Sequence, residues 1–267
     1  MSNATDINAS SGYFKRLTSI VNVAMRRLLR APSHSRRAVA ARRLARRSLL
    51  LAAGAAVVIV ALMFTLDAPV IRLMPPRGTA ALWPLRIITD FGKSSYVLWS
   101  LLTFLVVIAL MLARLGGRAR AALSGFGIHM LYIFCAVAVS VLAGDVLKGI
   151  VGRARPFVGG EANPFNYSHF AWTEVYASFP SGHAITCFAL AFAVSSVWPR
   201  VRLLMYGYAV LILLTRLVLL AHHPSDVVAG ALTGVIGAMV MRQWFAARRL
   251  GFTIQADGTI VARTVRF

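Results

Sequence analysis

Six stretches of mostly apolar residues, each about 18 residues long or longer, constrain this chain more than any other feature. They run from Ser48 to Leu66, Ser95 to Ala113, Gly125 to Leu147, Ser181 to Trp198, Leu203 to Leu220 and Val227 to Phe245. Inside the hydrocarbon core of a bilayer no water reaches the peptide groups, so a spanning segment must satisfy its own backbone, as a helix does. The sequence therefore predicts an all-α, polytopic membrane protein with six transmembrane helices and both termini on one side. A hydrophobic content of 58% with only 14% charged residues agrees, because ordinary soluble domains are far less apolar.

Lys and Arg number 29 against 8 Asp and Glu, a surplus that raises the question of a nucleic-acid partner. Its placement argues against one. Lys15, Arg16, Arg26, Arg27, Arg30, Arg36, Arg37, Arg42, Arg43, Arg46 and Arg47 all precede the first apolar stretch, which makes residues 1–47 a basic juxtamembrane arm. With that arm in the cytoplasm, Arg114, Arg118, Arg120, Arg200, Arg202, Arg242, Arg248, Arg249, Arg263 and Arg266 fall on the same side. Only Arg72, Arg77, Arg86, Lys93, Lys148, Arg153, Arg155 and Arg216 remain for the other side or the spans. This asymmetry follows the positive-inside rule and places both termini in the cytoplasm.

The arm's first role is to fix this topology; attraction to anionic headgroups is a second. Residues 48–246 then form one membrane domain, and residues 247–267 a cytoplasmic tail. A polar and basic segment as long as the arm is unlike the short leading region of a cleaved leader, so the first stretch stays as an anchor. Cys135 and Cys187 both lie within apolar stretches and read as packing residues.

Three short clusters meet at the outer ends of the last four stretches. Lys148 and Arg155-Pro156 follow the third, and either cation alone is explained by the usual polar end of a helix. Ser181-Gly182-His183 opens the fourth: Ser181 is placed to cap, the first-turn N–H groups point at an anion, and Gly182 lets a phosphate approach the backbone. His183 sits where it can donate a proton. Arg216, near the end of the fifth stretch, is costly inside a bilayer and so marks function. After it come His222, His223 and Asp226, with Pro224 suited to a first helical turn. An Asp near a His can fix its tautomer and stabilise the imidazolium.

Together the clusters resemble the type 2 phosphatidic acid phosphatase superfamily, whose pattern is Lys-x6-Arg-Pro, then Pro-Ser-Gly-His, then Ser-Arg-x5-His-x3-Asp. Thr215 replaces the usual Ser before Arg216, which retains a hydroxyl. The resemblance spans about residues 125–245. It implies a six-span phosphatase domain in which His222 attacks phosphorus, Asp226 orients it, and His183 protonates the leaving oxygen and then activates water. Lys148, Arg155, Arg216 and the Ser181–Gly182 backbone would hold the phosphate. The resemblance also reaches lipid-to-lipid phosphotransferases and soluble, vanadate-binding haloperoxidases.

The implied partners are the bilayer and a phosphorylated lipid: phosphatidic acid, phosphatidylglycerol phosphate, a polyprenyl pyrophosphate or a lipid A phosphate. An arginine- and alanine-rich composition hints at a bacterial source, hence an inner-membrane protein with a periplasmic active site. Two His and an Asp also suggest a zinc site, but nearby cations would repel the ion, so no metal and no cofactor are expected. His34 and His129 read as structural, His169 as a loop residue, His223 as a neighbour at the interface, and Asp145 as an ion-pair partner that positions Lys148. A transporter or flippase is the rival class; no internal repeat is evident in the sequence.

Overall fold

The computed structural model describes residues 3–263, with side chains from residue 12 onward; Arg266 of the basic tail lies outside the described residues. The helices are α1 (Asn3–Leu29), α2 (Arg37–Thr65), α3 (Asp67–Leu73), α4 (Trp83–Asp90), α5 (Ser94–Arg114), α6 (Gly117–Val151), α7 (Gly182–Val197), α8 (Arg202–Val218) and α9 (Pro224–Ala247). A hairpin of β1 (Phe252–Ile254) and β2 (Ile260–Ala262) follows. Among the described residues, five helical segments, ending in α2, α5, α6, α8 and α9, are long and apolar enough to cross a membrane.

The fourth apolar stretch falls short of the length the other five reach. It forms α7, a helix of only 16 residues, or about 24 Å at 1.5 Å per residue. The apolar run from Ser181 to Trp198 is cut at both ends, by Ser181 in extended backbone and by Pro199 beginning a 3-10 turn. α7 is also the central helix, packed on α6, α8 and α9. Ala184, Ile185, Cys187, Ala189, Ala191 and Ala193 are all fully buried. Irregular backbone at membrane depth is tolerated where protein covers it, and this is the helix that its neighbours cover.

Small residues set how closely α7 and α9 approach. Gly230, Gly234 and Ala238 recur at every fourth position of α9, the spacing that brings backbones together between membrane helices. A Cβ on Gly234 would collide with the carbonyl of Ile185, and one on Gly230 would lie 2.5 Å from the carbonyl of Ser181. The start of α7 is thereby pressed against the start of α9, and the two clusters carrying His183 and His222 are brought to one end of the bundle.

The same end receives the C-terminus of α6. Gly152 ends α6 in the left-handed region at φ 57°, a conformation glycine adopts without steric cost. A Cβ there would overlap the backbone carbonyl of Ser168, because the following loop pairs Arg153 with Tyr167. The loop between α6 and α7 is irregular, as its Pro, Gly and aromatic content predicts.

At the opposite end the arm is largely helical: α1 packs on α5, and α2 begins at Arg37, well before its apolar run. The tail folds back beneath the bundle, where Phe252 packs edge-on against Tyr132 with ring centroids 4.8 Å apart. His129 Nε2 lies 3.1 Å from the carbonyl of Gly251, and the His34 ring contacts the backbone N–H groups of Arg36 and Ile254. Both histidines are structural ties. Cys135 and Cys187 are free thiols, Cys187 fully buried and Cys135 half-buried against the core.

Candidate active site

The turn between α8 and α9 decides where His222 points. α8 is closed by two paired bonds, Ala221 N–H to Arg216 O at 3.0 Å and Leu220 N–H to Leu217 O at 2.9 Å. With Leu220 at φ 52°, this is the Schellman arrangement. A left-handed non-glycine residue costs roughly 1–2 kcal/mol, and such strain persists only where the surroundings enforce it. Here Arg77 does so, donating from Nη2 to the carbonyls of Leu220 and Pro156 at 2.8 Å each. Six residues after Leu220, Asp226 closes a capping box at the start of α9, accepting the His223 N–H at 2.8 Å.

His222 is buried at 3% exposure. Its Nδ1 lies 2.8 Å from the carbonyl oxygen of Ser178. A carbonyl only accepts, so Nδ1 carries the proton and the lone pair is left on Nε2. No described residue hydrogen-bonds that Nε2. Burial holds the His222 pKa well below the ordinary 6.5; Asp226 pulls it up, while Arg216, Arg155 and His183 push it down. A neutral imidazole with a free Nε2 is the nucleophilic form.

Asp226, expected to orient His222, does not touch it directly: its Oδ2 stands 3.9 Å from Nδ1. Asp226 instead accepts Ser178 Oγ at 2.6 Å and contacts His223 Nδ1 at 3.2 Å. Its influence on His222 passes through Ser178, whose hydroxyl it holds and whose carbonyl orients the ring. His223, read from the sequence as a neighbour at the interface, is wholly buried against this carboxylate.

Beneath these residues lies a buried ion network that the sequence reading did not single out. Arg153, 1% exposed, donates to Asp226 at 2.6 Å, Asp67 at 2.7 Å, Ser225 Oγ at 2.6 Å and the Pro164 carbonyl at 2.9 Å. Burial disfavours its charge, yet Asp226 and Asp67 outweigh that and raise its pKa. The Arg153 carbonyl accepts the Ser178 N–H at 3.0 Å. One guanidinium thus ties α3, the loop after α6 and the start of α9 to the backbone that holds His222. Asp67 carried the only visible signal, as a carboxylate at the edge of an apolar run.

The phosphate-binding candidates gather around the start of α7. Lys148 Nζ would lie 3.0 Å from a Cβ placed on Gly182, so the ammonium stands over the first turn of α7. It pairs with Asp145 at 2.8 Å, as the spacing of three predicts. Ser181 makes no side-chain cap; its buried Oγ is without a hydrogen-bond partner, as are His183 Nε2 and Arg216 Nε. Buried polar atoms are normally satisfied. With His223 Nε2 as a fourth orphan at the same end of the bundle, these atoms mark the place where a polar ligand would complete the structure.

Arg216 also donates from Nη1 to Thr89 at 2.9 Å. Arg155 is engaged by Glu174, whose carboxylate it meets at 2.9 Å and whose carbonyl it also reaches. Glu174 is solvent-exposed, and an exposed pair of this kind is weak, so the guanidinium is held ready without being committed. His169 contacts the Val151 carbonyl in the loop between α6 and α7.

The sequence profile of the PAP2 superfamily matches residues 129–250. Over 202 residues the chain is 31% identical to a protein of Rhizobium johnstonii named lipid A 1-phosphatase, covering 75% of this chain and 82% of that one. The chain belongs to the PAP2 superfamily. As a PAP2 protein with long apolar helices it is a multi-pass membrane phosphoric ester hydrolase. A second PAP2 relative, 28% identical over 47% of this chain and 59% of its own, is named bacitracin transport permease protein BcrC of Bacillus licheniformis. A solved structure from Bacillus subtilis, described as a transmembrane PAP2 type phosphatidylglycerolphosphate phosphatase, aligns with TM-score 0.47 and 19% identity, covering 73% of this chain and 94% of that one.

Proposed function

We propose that this PAP2 protein removes phosphate from a membrane lipid by way of a phosphohistidine on His222. The observation that carries the reading is the Ser178 carbonyl on His222 Nδ1, which leaves Nε2 as the attacking atom. In the first step Nε2 bonds to phosphorus, the bond to the lipid oxygen breaks, and His183 delivers a proton to that oxygen. In the second, water attacks the phosphohistidine, His183 takes its proton, and inorganic phosphate leaves. Lys148, Arg155, Arg216 and the backbone of Ser181 and Gly182 hold the phosphoryl oxygens, where fixed cations stabilise developing charge. Asp226 and Ser178 orient His222 and favour the imidazolium that forms on attack.

The reading has a topology. α7 makes the sixth crossing, shortened because its ends lie within protein, so both termini are cytoplasmic and the site faces the periplasm of a bacterial inner membrane. Among candidate lipids, the phosphate at a lipid A sugar is favoured by the relative covered over most of its length; polyprenyl diphosphates and phosphatidylglycerol phosphate follow. The test is inorganic phosphate release from a panel of these lipids by the purified protein in detergent. Release by the wild type that vanishes in His222→Ala is expected; equal release by both ends the mechanism. A transport reading draws on the BcrC name, and substrate movement retained in His222→Ala without phosphate release would favour it.

A further inference from the structure

Beside the turn that carries His222 lies an open cavity of about 520 Å³. Its volume is within the usual range for a ligand site. His183 and Arg216 form one wall, and the first outer loop with α4 forms the other through Arg77, Arg86 and Lys93. Lys148 and Arg155 are not part of the lining. The cavity thus adjoins the candidate catalytic residues through His183 and Arg216 and extends from them to Arg77, Arg86 and Lys93.

We infer that this cavity is a second anion subsite, in which Arg77, Arg86 and Lys93 bind a further phosphate carried on the same lipid headgroup as the one removed. The inference rests on the lipid phosphatase reading and narrows its substrate class to headgroups with two phosphates.

The charge balance supports it. Asp90 is the one carboxylate in the lining, and its charge is met by Lys93 at 2.8 Å. That pair is roughly 40% exposed on each side, so a phosphate can displace the carboxylate at little cost. Arg86 makes one hydrogen bond within the described residues, at 3.3 Å to the Thr79 carbonyl, and Arg77 is bonded only to carbonyls. Neither guanidinium has a carboxylate partner among the described residues. The orphaned Nε of Arg216 and Nε2 of His183 belong to the shared wall, so a headgroup with adjacent phosphates can occupy both compartments at once.

Two substrate pairs test the subsite, each with one tail: polyprenyl diphosphate against polyprenyl monophosphate, and a bisphosphorylated glucosamine disaccharide lipid against its monophosphorylated form. Arg77 also braces the catalytic turn, so the variants are Arg86→Gln and Lys93→Gln, singly and together. In the double variant the kcat/KM ratio of the doubly to the singly phosphorylated lipid should fall about tenfold, equivalent to ~1.4 kcal/mol, mainly through KM. The pair that shows the fall identifies whether the second phosphate is directly bonded to the first or borne across a sugar. An unchanged ratio in both pairs, or equal losses on both members, would overturn the subsite while leaving the phosphatase reading intact. If the wild type releases phosphate from none of the four, the subsite falls, and the phosphatase reading falls with it only if phosphatidylglycerol phosphate is also left intact.

Discussion

Replacing Arg153 by Leu would strand two buried carboxylates. Asp67 and Asp226 are both fully buried, and each meets the Arg153 guanidinium within 2.7 Å. Removing one partner of a buried ion pair costs about 3–5 kcal/mol, because the charge left behind has neither water nor counter-ion. In a chain of this size each kcal/mol moves the melting midpoint by about 2–4 °C, so Arg153→Leu should melt roughly 6–20 °C below the wild type in the same detergent. Activity should fall as well, since the Arg153 carbonyl and Asp226 together hold Ser178. A second substitution makes the reasoning sharper. Asp67→Asn in the Arg153→Leu background removes one uncompensated charge while keeping an oxygen for the Ser225 N–H, so the double variant should melt above the single one. Scanning fluorimetry of both would decide. A single variant melting within about 2 °C of the wild type, or a double variant melting lower still, would show that this network is not the buried, charge-balanced tie described.

Three further outcomes follow from the site. The acid limb of kcat/KM should have its midpoint below 6.5, because the depressed pKa of His222 keeps the ring neutral until the pH has fallen past the ordinary value. Arg155→Gln removes one of the charges that depress it, so the midpoint should rise toward 6.5 even as overall activity drops; a midpoint that stays put or falls refutes that electrostatic link. Gly182→Ala should leave the melting midpoint nearly unchanged, since the new methyl meets only the movable end of Lys148 at 3.0 Å, but should lower kcat/KM at least about tenfold by blocking the anion's approach; wild-type kinetics would contradict this. Gly152→Ala places a Cβ into the Ser168 backbone carbonyl at positive φ, with nothing flexible to yield, so its melting midpoint should drop by several degrees, measured beside Gly182→Ala.

Much of the site was legible because its chemistry is compressed into three short clusters whose residues are expensive in a bilayer unless used. Lys148, Ser181 to His183, and Arg216 to Asp226 stand out against apolar surroundings, and long apolar runs predict helices reliably. What stayed hidden depends on contacts between distant segments. Arg153 looked like one more basic residue beside Arg155, and only the fold shows it joining Asp67 to Asp226 across 86 and 73 residues. Ser178 had no signal at all, because its role is played largely by a backbone carbonyl. The sequence put Asp226 near His222 without showing how the two are linked, and only the fold shows that the carboxylate is engaged by His223 and Ser178. Hydropathy also overstated α7, since a run of apolar residues records neither the extended backbone at Ser181 nor the turn that Pro199 imposes.

The central claim is that phosphorus is bonded for a time to His222 Nε2. Rapid-quench labelling of the wild type with a lipid carrying a radioactive phosphate, followed by peptide mapping under alkaline conditions, tests it directly. An acid-labile, alkali-stable phosphoryl group on the peptide containing His222, absent from His222→Ala and longer-lived in His183→Ala, is the predicted result. Turnover with no covalent label at any quench time, or a label on another residue, would contradict the account.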